Sequence, residues 1–412
     1  MNNNLCKYRN CEECDVKSCK RRRNRDVEEY QILADFDYVP KTADGVFVDI
    51  GTTTIATLRL ENGVKKASDT RRNPQYVFGA DVMSRITAQA FGKHDEIVSS
   101  VRLGVGESIK AVEGVDCRCY ISANTAMVNM YLGEDCKSLG VYPFRAPILD
   151  AYVTDRIIIP PCVSGFIGAD VLSGLFMCGF HDSSDINMFI DLGTNTEIAI
   201  GNKDGIMTAS AAGGPAFEGG GISCGVGAVE GAICTVSQTD GRFKTIGDKP
   251  PIGICATGIT DLIAWLLKTE KMDLTGRLKD DIPYALTDSV SFTQADVREI
   301  QTAKSAVRAG IEMLINKYGA KDEDIKNIYI AGGFGKWLDI ESACVIGLLP
   351  ERFSGIYRAV GNSSLGGIIK LSETHGGLEQ MESIKKACTE ISLATETDFS
   401  EMFLKYMNFI KE

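Results

Sequence analysis

One stretch constrains this chain more than any other, and it occurs twice. Residues 188–200 read Met-Phe-Ile-Asp-Leu-Gly-Thr-Asn-Thr-Glu-Ile-Ala-Ile. An apolar run leads to Asp191, a polar tip spans Gly193, Thr194, Asn195 and Thr196, and a second β-prone run follows from Ile198 to Ile200. The pattern predicts strand, tight turn, strand. The tip carries no bulky side chain until Glu197, so its backbone N–H groups and hydroxyls can close on an anion. Asp191 ends the first strand, where a carboxylate can hold Mg²⁺ through water. Residues 47–58 align with 189–200 without a gap: Asp49 matches Asp191, Gly51 matches Gly193, Thr52 matches Thr194 and Thr54 matches Thr196. A single Asp-x-Gly-Thr turn reads as a hairpin with a polar tip. Two copies roughly 140 residues apart predict two related halves, each offering a phosphate-binding hairpin to one cleft.

A chain of 412 residues has room for two or three domains. Its formal charge of −11 argues against a nucleic-acid partner. The most apolar region, 157–180, is interrupted by Pro160, Pro161 and Asp170, so no transmembrane helix and no membrane partner are expected. Met-Asn-Asn-Asn followed by cysteines does not read as a signal peptide, and a cytoplasmic chain is expected. Its 14 cysteines should then be mostly reduced, which favours metal ligation or an anaerobic host over a disulfide framework.

Residues 1–30 read as a separate module. Cys6, Cys11, Cys14 and Cys19 form C-x4-C-x2-C-x4-C, with little apolar sequence to fold the segment otherwise. The first three have plant-type 2Fe–2S spacing, but the fourth comes too soon. A compact four-thiolate wrap suits a 4Fe–4S cluster, with a zinc knot as the alternative. The basic run from Lys20 to Arg25 reads as a solvated linker, with docking onto an acidic partner as the alternative.

Along the body, a helix is expected from Val82, with Ile86 and Ala90 on the same face, and another over 95–112. Asn124 after the strand 119–122 can cap a helix or meet the cleft, and a cap is expected. Cys117, Cys119, Cys136, Cys162 and Cys178 read as small buried apolar residues. Glu218 is the only charge in the small-residue stretch 210–221, where it can position a water or sit at a helix start. Thr257 and Gly258 open a helix whose N-terminus is a nucleotide-contact candidate. Thr293 and Asp296 resemble a capping box for a helix over 294–318 that Gly319 stops. A short strand at 327–330 runs into Gly332, Gly333 and Phe334, where glycines let backbone lie flat against a base. Phe334 packs on adenine or fills the core.

The two turns and the late Ala-Gly-Gly resemble the nucleotide motifs of the actin, sugar kinase and heat-shock chaperone superfamily. Two details narrow the resemblance: Gly214-Pro215-Ala216-Phe217-Glu218-Gly219 with Ile222-Ser223-Cys224-Gly225, and the run from Gln294 through Ala331-Gly332-Gly333-Phe334-Gly335 to Ile346-Gly347-Leu348-Leu349-Pro350. Over about residues 45–412 the chain resembles the ATP-dependent reductive activators of corrinoid proteins. The resemblance implies an α/β fold: a duplicated ATPase of 45–182 and 183–412, with a small N-terminal metal-binding module at 1–30.

It also implies ATP-coupled reduction of Co(II) to Co(I) on a corrinoid protein of a methyltransferase system, an electron donor, and a homodimer. Asp49 and Asp191 would hold Mg²⁺, with Glu218 as a further catalytic candidate. Thr52, Thr53, Thr54 and Thr194, Asn195, Thr196 would hold the phosphates of ATP. Gly332, Gly333 and Phe334 would flank the adenosine, and the four cysteines would ligate the iron–sulfur cluster. The sequence departs from the family at its front, where about thirty residues replace a full iron–sulfur domain and a further domain, and at Ala256-Thr257, where Gly-Ser is expected. The alternatives are an activator of a 2-hydroxyacyl-CoA dehydratase, a small-molecule kinase, and a zinc-stabilised nucleotide sensor without redox chemistry.

Overall fold

The computed structural model describes residues 36–279 and 283–409. Cys6, Cys11, Cys14, Cys19 and the basic run after them lie outside the described residues. Strands β1 (Gly45–Ile50), β2 (Thr54–Glu61) and β3 (Val64–Arg72) form an antiparallel meander. Strand β4 (Cys119–Ala123) adds parallel to β1, and β5 (Tyr152–Val153) and β6 (Ile157–Ile159) complete the order β3-β2-β1-β4-β6-β5.

The second half repeats this with β7 (Ile186–Leu192), β8 (Thr196–Asn202) and β9 (Gly205–Ala211). A small sheet of β10 (Ala232–Val236), β11 (Phe243–Thr245) and β12 (Gly253–Ile254) and a hairpin of β13 (Tyr284–Ala285) and β14 (Ser291–Phe292) are inserted next. Then β15 (Ile325–Ala331) pairs parallel to β7, β16 (Tyr357–Gly361) lies outside it, and β17 (Cys388–Glu390) takes the far edge. The resulting order is β16-β15-β7-β8-β9-β17, so the meander with a parallel strand added to its first member occurs in both sheets.

Helix α1 (Val82–Ala88) is shorter than expected. Phe91 and Gly92 leave helical φ/ψ, and Ala90, expected on the buried face, is exposed. Helices α2 (His94–Ala111) and α3 (Thr125–Leu132) cover one face of the first sheet. Helix α4 (Ala169–Met177) enters the middle of the molecule. Helices α5 (Ala256–Lys268) and α6 (Gln294–Tyr318) cover the opposite face of the second sheet. The expected capping box of Thr293 and Asp296 is formed, and Gly319 ends α6 in the left-handed conformation at φ 77°. Short α7 (Gly332–Trp337) and α8 (Ile340–Val345) follow β15. Helices α9 (Ser363–Glu373) and α10 (Gly377–Ala387) return to the middle layer beside α4, and α11 (Phe399–Lys405) packs on α6.

Strand alternation explains why both aspartates meet in the middle. In β1, Val46, Val48 and Ile50 point to the outer core, so Phe47 and Asp49 point to the inner one. In β7, Met188, Ile190 and Leu192 point outward, leaving Phe189 and Asp191 on the inner face. Phe47 and Phe189 fill the core between the sheets together with Leu172, Leu175, Phe176, Ile368 and Ile369 of α4 and α9. Truncating either phenylalanine to Ala should cost about 3–5 kcal/mol.

The gapless match between the two hairpins ends at the tip. Asp49 lies opposite Ala56, whereas Asp191 lies opposite Glu197. The first turn is closed from the Gly51 N–H to the Thr54 carbonyl at 2.8 Å, and the second, one residue shorter, from Gly193 to Asn195 at 3.2 Å. A one-residue slip exchanges faces. Glu197 therefore takes the inner position, and Thr196 turns into the protein, 1 % exposed.

Candidate functional site

The two hairpin tips face one cleft of about 860 Å³, large enough for a nucleotide. Asp49, Gly51, Thr52, Thr53 and Thr54 line it from the first half. Asp191, Gly193, Thr194 and Asn195 line it from the second, with Glu218, Thr257, Gly332, Gly333 and Phe334. Two sequence candidates lie off its wall. Thr196 is turned by the register slip onto the opposite, buried face of β8, away from the cleft. Gly258 serves packing instead: a Cβ there would stand 2.3 Å from the Ile233 carbonyl oxygen, so its absence lets α5 seat on β10.

The first tip is braced from behind. Buried Arg85 donates to the Thr52 carbonyl at 2.7 Å, to the Gly79 carbonyl at 3.1 Å and to the Gln75 side chain at 3.1 Å. Burial lowers its pKa to about 10, so it keeps its charge at neutral pH behind the turn. Asn73 donates to the Gly51 carbonyl at 2.9 Å, and Asn124 to the Thr52 hydroxyl at 3.2 Å. Asn124 also caps α3, its oxygen accepting from Met127 N–H at 3.0 Å. A turn fixed on its inner side presents its remaining donors outward without further ordering cost.

The inner floor of the cleft is acidic. Asp49 accepts from Asn362 at 2.9 Å and from Ser364 at 2.8 Å. Burial nevertheless raises its pKa, with those two bonds pulling the other way. Burial, aided by the Asp49 charge, raises Asp191 to about 7. Burial and then the Asp191 charge raise Asp170, at the start of α4, to about 7. Glu197 is pushed well above the usual carboxylate range by burial and by Asp170 and Asp191. Four carboxylates thus share a site that disfavours their ionisation, which a bound cation would relieve.

These donors suit Mg²⁺: they are all oxygens, and among the described residues no three His, Cys, Asp or Glu side chains gather closely enough to cage a bare ion. An ion placed here would be held partly through waters. Helices α3, α5 and α9 begin at the cleft wall, at Thr125, Ala256 and Ser363, and α4 presents Asp170 of its first turn there. Their N-termini add positive potential to the cleft.

Glu218 stands between the tips. Its oxygens accept from Thr194 Oγ1 at 2.6 Å and from Thr53 Oγ1 at 3.3 Å. At the far end Phe334 stacks on Phe217, with ring centroids 5.2 Å apart and planes 14° from parallel. Gly332 has φ 85°, and a Cβ there would stand 2.9 Å from Asp191 Oδ1. Its lack of a side chain leaves room for the aspartate, a tighter requirement than contact with a base. Thr257 donates to the Cys234 carbonyl at 2.8 Å, which fixes the first turn of α5 against β10.

Asp170, Glu197, Arg85, Asn362 and Ser364 are the site residues that sequence reasoning passes over. Some signal exists for three of them. Asp170 is the acid that interrupts the apolar stretch 157–180. Asn362 and Ser364 form an Asn-Ser-Ser helix start after β16, as Asn124-Thr125 does after β4. Glu197 becomes a cleft residue only through the register slip, and Arg85 through a tertiary contact.

Two family models match nearly all the described chain. One is described as the RACo middle region and matches residues 44–183; the other, the C-terminal domain of RACo, the ASKHA domain, matches residues 185–412. The chain belongs to the RACo family. The corrinoid activation enzyme RamQ of Eubacterium limosum is 30% identical over 427 residues, covering 89% of this chain and 71% of RamQ. The Co(II) methylated amine-specific corrinoid protein reductase of Methanosarcina barkeri is 28% identical over 416 residues, covering 89% of this chain and 77% of the reductase. A solved structure of a reductive activator for corrinoid, iron–sulfur protein superposes with a TM-score of 0.80 at 29% identity, over 89% of this chain. The chain spans 66% of that activator, just under two thirds of its length. The duplicated fold expected from the paired turns is this family's ASKHA-type α/β fold. No described helix is long and apolar enough to cross a membrane.

Proposed function

We propose that this protein is an ATP-dependent reductive activase that returns the Co(II) corrinoid of a partner protein to Co(I). The observation that carries the reading is the meeting of both Asp-x-Gly-Thr turns across one cleft in a member of the RACo family. The balance is one electron from a donor to cobalt for each reduction, coupled to hydrolysis of ATP to ADP and phosphate.

Within the cleft, Asp49 and Asp191 would orient waters around Mg²⁺, which would supply charge to offset the phosphates. Gly51, Thr52, Thr53, Thr54, Gly193, Thr194 and Asn195 would donate to phosphate oxygens. Glu218 would release its two threonines as phosphate arrives and orient the attacking water. Thr257, Gly332, Gly333 and Phe334 would flank the nucleoside. Hydrolysis would then be driven by positioning and charge stabilisation, with the halves moving about the shared helices α4 and α9.

The proposed division is a module at 1–30 and ATPase halves at 45–182 and 183–412. Cys6, Cys11, Cys14 and Cys19 would hold an iron–sulfur cluster, of 4Fe–4S type by their compact spacing, which supplies one-electron chemistry. A corrinoid protein and a separate reductant are the partners this requires. Metal analysis with electron paramagnetic resonance on protein purified without oxygen tests the electron route. About four iron with matching sulfide per chain and a reducible signal is expected. One zinc and no iron would overturn that route and make the module structural.

A further inference from the structure

Helix α9 begins in the cleft and ends on the segment that leads out of the cysteine-bearing region. At its start Asn362 and Ser364 hold Asp49. At its end the Glu373 carboxylate collects that segment. One oxygen accepts from the amides of Lys41 at 2.7 Å, Thr42, and Ala43 at 2.7 Å, and from the Thr42 hydroxyl at 3.4 Å. The other accepts from the Tyr38 hydroxyl at 2.6 Å.

A carboxylate in the last turn of a helix opposes the helix dipole. Glu373 therefore does not serve α9 itself; its partners all lie more than three hundred residues earlier in the chain. Partial burial works to raise its pKa, and the bonds from Tyr38 and the amides outweigh it, leaving the group below the usual carboxylate range.

The same segment also pairs with the end of β16, the strand that leads into α9. Asp37 N–H donates to the Val360 carbonyl at 2.9 Å, and Phe36 bridges Gly361, the residue before Asn362. Between its ends α9 has little freedom to bend. A Cβ at Gly367 would stand 2.1 Å from the Ser173 carbonyl oxygen, so α9 and α4 are in backbone contact. Lys370 donates to the Phe176 carbonyl near the end of α4 at 2.8 Å. Eleven helical residues reach about 16 Å, and a close-packed helix passes a shift at one end to the other.

We propose that α9 couples nucleotide occupancy to the hold on residues 36–43, with Glu373 as the positioning residue that fixes this segment, which follows the cysteine-bearing stretch in sequence. The inference rests on the nucleotide reading of the cleft. Mg²⁺-bound nucleotide draws on Asp49, the bonds from Asn362 and Ser364 readjust, and Glu373 alters its grip on the amides of Lys41, Thr42 and Ala43.

The test is hydrogen exchange on the full chain with and without Mg²⁺ and a non-hydrolysable ATP analogue, beside calorimetric measurement of analogue affinity. In the wild type, analogue binding should change exchange at residues 41–43 by about fivefold or more. Glu373→Gln should bind the analogue within about twofold of wild type and lose that nucleotide-dependent difference. A role in packing alone would alter exchange equally with and without analogue. Analogue binding with unchanged exchange at 41–43 in the wild type overturns the coupling, whatever the variant does. A Glu373→Gln protein that keeps the full nucleotide-dependent difference overturns the role of Glu373. Absence of analogue binding overturns the reading of the cleft, and the inference with it.

Discussion

The Glu218 carboxylate accepts a hydrogen bond from Thr194 Oγ1 at 2.6 Å with one oxygen while the other stands 3.3 Å from Thr53 Oγ1. A carboxylate thus links the tips of both hairpins through hydroxyls suited to phosphate oxygens. On the proposed reading, Mg²⁺–ATP would displace these contacts and leave Glu218 free to hold a water. Glu218→Gln should bind ATP at least as tightly as wild type and lose about a hundredfold in hydrolysis rate. Binding by calorimetry and phosphate release check this; unchanged hydrolysis would remove Glu218 from the chemistry.

Asp191 sits on the inner layer, with Gly332 leaving space for its carboxylate. Asp191→Ala should abolish Mg²⁺-dependent hydrolysis and ATP-dependent activation while circular dichroism and melting remain those of a folded protein. Retained activation would sink the assignment of the site.

The crowded acids make a pH prediction. Asp170 is raised to about 7, from an ordinary value of 3.8. Between those values the folded state keeps a proton that the unfolded state has released, so stability falls as pH rises through this window and stays lost above it. Asp170→Asn removes that dependence. It should melt near the wild-type temperature at acidic pH and above it at pH 8, by roughly 2 °C for each kcal/mol relieved. Bound Mg²⁺ and nucleotide should shrink the difference. A variant less stable than wild type at pH 8 would contradict the electrostatic account of the floor.

The strands, the duplicated turns and the capping box of α6 were legible because each is set by local pattern. Alternation in β1 and β7 places both aspartates inward, and the sequence displays that alternation directly. Glu197 was hidden because hairpin register depends on turn length, and a three-residue tip and a four-residue tip look alike in an ungapped alignment. Asn362, Ser364 and Glu373 were hidden because they act across more than three hundred residues of chain. Thr196 and Gly258 were misplaced for the complementary reason: a motif position names a residue, and packing decides which way it faces.

The cysteines give a separable prediction. Cys11→Ser with Cys14→Ser should remove the bound metal and electron transfer yet leave ATP affinity within about twofold. Iron analysis and nucleotide binding on the same preparation check it. Loss of nucleotide binding in that protein would contradict an independent module.

The most direct test is visible absorbance of a Co(II) corrinoid protein mixed, without oxygen, with the full chain and a low-potential reductant. Conversion to the Co(I) spectrum should require Mg²⁺–ATP and stop with a non-hydrolysable analogue or with Asp191→Ala. Conversion at the same rate without ATP would contradict the account. So would none with ATP, given a corrinoid protein that a proven activator reduces under the same conditions.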